Sequence, residues 1–186
     1  MNESTFWEII ESSNKKDLYN ICPTIVEKLS KLSDNDIYLF EIILQQKMKE
    51  ICTWDAFGCL LVLETVTDDE GFSDFRCYII SKGKEFFDLF SKNGAESLAN
   101  ELLKDYGQYG YLRLESLSYV ATKALEEKYE SKNFKNPIGN AYENNFSKGS
   151  TVNLKGEELY ESMLPNKFPT LWIYQVEKMR SFGLGD

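Results

Sequence analysis

The chain has 186 residues, 42% of them hydrophobic and 14% aromatic, with 21 basic against 30 acidic side chains for a net charge of −9. That balance argues against a phosphate-tracking nucleic-acid binder, which needs clustered Lys and Arg. No apolar run approaches the roughly 18 residues of a membrane helix, and MNESTFWEII has neither the basic start nor the apolar middle of a signal peptide, so a cytoplasmic location with neither nucleic-acid nor membrane partners is expected.

A chain of this length and apolar content can bury roughly 70% of its unfolded surface, so a single domain over residues 1–186 is expected. The apolar spacing predicts an all-α, irregular bundle of about eight helices. Thr5 with Glu8 reads as a capping box for a first helix carrying Phe6, Trp7 and Ile10. Residues 15–30 place Leu18, Ile21, Cys22, Ile25 and Leu29 on one stripe, with Pro23 marking a kink or a fresh start. Ser33 and Asp36 then open a long helix with Ile37, Phe40, Leu44, Met48 and Ile51 on its inner face. The next segment, 54–66, is apolar nearly all round, which assigns it to the centre of the fold, and Gly58 within it permits a close crossing.

The most patterned stretch is DDEGFSDFRCYIISKGKEFF, residues 68–87, in which Phe72, Phe75, Ile79, Phe86 and Phe90 recur at helical spacing. Thr67 and Glu70 fit a capping box at its start, with Asp68 and Asp69 at the positive end of the helix dipole. The rival reading is a hairpin between strands at 59–63 and 77–80; helix is preferred because strand alternation leaves neither face cleanly apolar. Asn93-Gly94 marks a break, Leu98, Ala99, Leu102 and Leu103 make a further turn set, and 105–111 reads as a loop. Leu114, Leu117, Ala121, Ala124, Leu125 and Lys128 predict a helix ending near Ser131. Residues 132–153, with six asparagines, are expected to form a long irregular loop. Two short helices at 157–164 and 170–179, separated by Pro165 and Pro169, and a frayed tail at 181–186 close the chain.

The acidic pair Asp68 and Asp69, then Gly71-Phe72, Phe75-Arg76, Ile79-Ile80 and Gly83-Lys84, resembles the signature of a bacterial family known as domain of unknown function 4240. The opening Phe6-Trp7, Trp54, SYVATKALEEKY and the Leu164-Pro165 step extend the likeness over nearly the whole chain. Glu70 between the acidic pair and Gly71, and Leu61-Val62-Leu63-Glu64 in place of small residues, depart from the pattern. The resemblance implies a mainly helical fold and supplies no activity.

The sequence has no histidine, which removes the usual Ser-His-Asp, Cys-His and HExxH systems. Cys22, Cys52, Cys59 and Cys77 contain no CxxC and read as buried, reduced thiols, and no glycine-rich nucleotide loop is present, so no cofactor is expected. Between Glu50 and Phe75 there are seven acids and no Lys or Arg. Asp55, Glu64, Asp68, Asp69, Glu70 and Asp74 therefore form a candidate interaction surface. This points to a non-enzymatic protein-binding module with a basic partner, of the immunity or antitoxin type. The alternative is an enzyme or sensor that binds a small molecule or divalent metal in a cleft near Asp68, Asp69 and Arg76, with Tyr106, Tyr109 and Tyr111 lining it. For Arg76, Asp69 or an acid of another helix is the expected salt-bridge partner.

Overall fold

The computed structural model describes residues 1–13, 20–65, 67–129 and 153–183. Most of the Asn-rich segment 132–153 and the tail residues 184–186 lie outside them, as do Leu18 and Val66. Among the described residues there are ten α-helices and no strand, so the fold is all-α.

Local chemistry explains where the helices begin. α1 (Glu3–Ser13) starts one turn earlier than Thr5 suggests, because Asn2 Oδ1 accepts from Thr5 N at 3.0 Å. α2 (Ile21–Leu29) has Pro23 in its first turn, where the missing N–H costs nothing, so the proline marks a fresh start. α3 (Asp34–Glu50) is capped by Ser33, whose Oγ accepts from Asp36 N at 3.2 Å, as its sequence indicates. α4 (Trp54–Glu64) is capped by Thr53 and stops at Thr65, which adopts φ 60°.

The patterned stretch is helical, yet it is two helices, α5 (Asp69–Ser81) and α6 (Lys84–Asn93). Gly83 separates them at φ 95°, a backbone region open to glycine. The break rotates the second half, so Phe87 enters the core against Trp7 with ring centroids 5.2 Å apart, while the expected Phe86 is only half-buried. Phe72, Phe75 and Ile79 are buried as the spacing predicts. The cap is Asp68, which accepts from Gly71 N at 2.8 Å, in place of the Thr67–Glu70 box.

A short 3-10 turn, Ala95–Leu98, leads into α7 (Ala99–Tyr109), and another, Glu115–Tyr119, into α8 (Val120–Tyr129). The loop expected from Asp105 is instead the last turn of α7, closed by Gly110 at φ 78°. Asp105 holds that turn in place by accepting from Tyr78 Oη at 2.7 Å and Lys82 Nζ at 2.6 Å. After a bridge between Thr53 and Lys155, the chain closes with a 3-10 turn, Glu161–Met163, then α9 (Leu164–Lys167) and α10 (Pro169–Ser181). Pro165 and Pro169 sit in the first turns of these helices, where their fixed φ is an advantage, so they start helices and do not separate them.

α4 and α5 lie in the middle. α5 packs on α3, α4 and α6, whereas α10 covers α4 and α7, and α1, α2 and α8 complete the layer beyond α3. Gly58 makes the α10 side possible: a Cβ there would lie 2.9 Å from both Leu159 and Phe168. All four cysteines are buried and free, as expected, and Trp7 is a full core anchor while Trp54 and Trp172 are half-buried.

One buried charge escaped the pattern. Glu41 is 5% exposed on α3, and its carboxylate accepts from Gln45 Nε2 at 2.8 Å. Burial pushes its pKa up to about 7, against the partial relief given by Gln45. A carboxyl whose folded pKa lies above its unfolded value binds more protons when folded, so stability is lost as pH rises from about 4.5 through 7. The shift corresponds to roughly 3 kcal/mol. Glu41→Gln should therefore raise urea-unfolding stability at pH 8 and leave it nearly unchanged at pH 4.5; equal effects at both pH values would show that Glu41 is not the titrating group.

Candidate functional site

The acidic run divides into three environments. At the start of α4, Asp55 Oδ2 accepts from Ala95 N at 2.8 Å while Oδ1 pairs with Lys167 at 3.2 Å, so this residue ties α4 to two later segments. Glu64, at the other end of α4, has a side chain only 9% exposed and is engaged by Arg113 Nε at 2.7 Å and Leu112 N at 3.3 Å. The pairing pushes the Arg113 pKa up, through the hydrogen bond with Glu64 first. About 15 Å of helix separates the two ends of α4.

The third environment is the start of α5. Asp68, Asp69 and Glu70 are exposed there, one turn from the half-buried Asp74. Burial lifts the Asp74 pKa to about 6, and repulsion from Glu115, Glu70 and Asp68 adds to it, with Arg113 acting in the opposite direction. These residues form one charged corner with Arg113 at its base.

Gly71 explains how that guanidinium fits. A Cβ on Gly71 would lie 2.7 Å from Arg113 Nη1 and 2.8 Å from Cζ, so any larger residue there would displace the guanidinium from the path by which it crosses the first turn of α5 to reach Glu64. The sequence marks Gly71 in the signature and Arg113 only beside the tyrosines of 106–111; they lie 42 positions apart, so spacing alone could not join them.

Arg76 is 4% exposed and its partner is not the expected carboxylate. Nη1 donates to the Met48 carbonyl at 3.1 Å, Nε donates to the Phe72 carbonyl at 3.3 Å, and the guanidinium lies 4.6 Å from the Phe72 ring centroid. It forms no ion pair among the described residues. The reason is the company it keeps: the C-terminal turn of α3 offers backbone carbonyls, which also carry the negative end of the helix dipole. The Phe72 ring also meets Phe57 edge to face, at a centroid distance of 5.3 Å.

The tyrosines take separate places. Tyr106 is buried, 6.3 Å from the Tyr174 ring, and accepts from Lys178 Nζ at 2.8 Å. Tyr109 ends α7 half-buried, and Tyr111 is 38% exposed after the Gly110 turn. Tyr106 thus faces α10 while Arg76 faces α3. A pocket of about 530 Å³ lies elsewhere, between the α3–α4 junction, the end of α6 and residues 155–167. Among the described residues no group of three His, Cys, Asp or Glu side chains is placed to hold a metal ion.

The Gly71–Arg113 crossing gives a testable reversal of sign. Gly71→Ala should destabilise the wild type, because displacing Arg113 leaves a mostly buried Glu64 without its cation. In an Arg113→Ala background the same change should stabilise, by up to about 1 kcal/mol of helix propensity. Equal Gly71→Ala effects in the two backgrounds, read from urea unfolding, would show that the crossing does not explain the glycine.

No curated protein and no solved structure matches the chain. A sequence profile described as "Protein of unknown function (DUF4240)" does match, over residues 1–127. The match includes α1 to α7, the signature stretch and most of α8, and it ends before the segment that pairs with Thr53. The chain is a member of the DUF4240 family.

Proposed function

We propose that this protein is a non-enzymatic binding module that engages a basic protein partner through the acidic corner at the start of α5, in the manner of an immunity or antitoxin-type protein. The observation that carries this reading is the exposed cluster of Asp68, Asp69 and Glu70 beside Asp74, whose like charges repel. Asp74 is held near pKa 6 by burial and then by Glu115, Glu70 and Asp68, although Arg113 stands beside it. Arg113 is itself committed to Glu64, so its charge does not neutralise the corner fully. A basic partner would relieve that repulsion on binding.

The exposed position of Asp68, Asp69 and Glu70 suits such a role, because rim charges act mainly on the encounter rate. Their influence reaches about 8–10 Å at physiological salt. The buried thiols support the non-enzymatic side of the reading: burial raises the pKa values of Cys22, Cys59 and Cys77, which disfavours the reactive thiolate. Four buried free cysteines also suit a reducing, cytoplasmic setting. No helix among the described residues is long and apolar enough to cross a membrane.

Asp69 and Glu70 are the residues to test, because Asp68 also caps α5. A low-salt pull-down from the source cell should recover a basic protein that elutes as salt is raised, and the Asp69→Lys, Glu70→Lys double variant should lose it while staying folded, its melting lowered only by the lost helix-dipole contacts of the first turn of α5. Recovery of the same protein by the double variant, or of no basic protein by the wild type, would contradict the proposal.

A further inference from the structure

The pocket at the α3–α4 junction has features the acidic corner lacks. Its volume of about 530 Å³ is in the range of small-molecule sites, roughly 300–1,000 Å³. Ile51, Phe90, Leu159 and Met163 supply an apolar lining. Two of these, Ile51 and Phe90, are core residues that present one side to the cavity, so this part of the wall is fixed by the fold.

The wall carries three acids, Glu50, Asp55 and Glu157, and two lysines, Lys155 and Lys167. α3 ends at Glu50 and α6 at Asn93, so two helix C-termini, each carrying partial negative charge, meet at the cavity. The facing N-terminus of α4 is already satisfied: Trp54 N donates to the Lys155 carbonyl at 3.0 Å and Ala56 N to Thr53 Oγ1 at 3.1 Å.

The protein's own ammonium groups show what the wall accepts. Lys155 Nζ donates to the Lys49 carbonyl at 2.7 Å, at the end of α3, and Lys167 Nζ pairs with Asp55 at 3.2 Å. Both lysines line the cavity. Two acids of the lining have solvent-exposed side chains. Glu50 has a side chain 45% exposed, with only Lys47 at 3.1 Å and a long contact to Ser91 at 3.5 Å. Glu157 is exposed, with no hydrogen bond or ion pair among the described residues.

We infer that this pocket is a binding site for a small organic amine, an ammonium group on an apolar stem, with the stem on Ile51, Phe90, Leu159 and Met163 and the ammonium between Glu50 and Glu157. The site is independent of the acidic corner, since it lies at the opposite end of α4. Half of its wall comes from residues 155–167, beyond the part matched by the family profile, so the site belongs to this chain's C-terminal segment as much as to the family core.

Three six-carbon probes separate charge from hydrophobicity: hexylammonium, hexanoate and hexanol, each titrated while the Met163 methyl resonance is followed by NMR. Hexylammonium should shift that resonance saturably with a dissociation constant of about 1 mM or tighter, as expected for a ligand of this size. Hexanoate and hexanol should bind at least about tenfold more weakly, a difference one charge-assisted contact supplies. The Glu50→Gln, Glu157→Gln variant should lose the preference for the amine, and Ser91→Trp, at an exposed lining position of α6, should block all three probes while leaving the melting temperature near that of the wild type. No saturable shift with hexylammonium, equal binding of hexanoate, or unchanged amine binding by the double variant would overturn the inference.

Discussion

The hydrogen bond from the Arg76 guanidinium to the Met48 carbonyl fixes how the two innermost layers meet. Nine of the thirteen residues of α5 are buried, Arg76 among them, so the helix must be covered on nearly every side and every polar group it takes inside must find a partner there. Arg76 finds the end of α3, Tyr78 finds Asp105 on α7, and Ser81 turns back to the Tyr78 carbonyl at 2.7 Å. The first two bonds each select a neighbour and a position along it, and the third is satisfied within α5 itself. The surrounding helices are in this sense a cover whose register is set by the polar residues of the helix they enclose.

The same logic gives physical content to the family signature. Asp68 caps α5, Gly71 gives Arg113 room to reach Glu64, Phe72 contacts both Phe57 and the Arg76 guanidinium, and Phe75 fills the core. Glu64 and Arg76 thus serve the fold. Asp69 and Glu70, beside them in sequence, are exposed and form no ion pair among the described residues, which is why the proposed contact with a partner rests on them.

Periodicity made the helical class, the long α3 and the central place of α4 legible, while Pro23 left a kink and a fresh start open, and α2 beginning at Ile21 shows the start. Periodicity failed where a single residue changes the phase or where the partner lies far away. Gly83 shifts the pattern by one position and exchanges Phe86 for Phe87, a step that a stripe drawn across it averages out. Tyrosine and glycine between 105 and 111 look like a loop, but Asp105 is drawn into a helix by Tyr78 and Lys82, residues more than twenty positions earlier. Arg76 was recognisable as a cation needing a partner, and a carboxylate was the natural guess; carbonyls at a helix end carry no mark in the sequence. Glu41 did leave a signal, since it stands four residues after Ile37 on the buried stripe of α3. The pocket was hidden because its walls come from segments about a hundred residues apart.

The claim most open to direct test is that Arg76 acts as a structural tie between α5 and α3. Arg76→Ala removes packing against Phe72 and strands a buried carbonyl, which should cost on the order of 3 kcal/mol in urea unfolding. Amide hydrogen exchange should speed up first at the α3–α4 junction, residues 49–54, where the Met48 carbonyl is released. A variant with wild-type stability and unchanged protection across that junction would contradict the account.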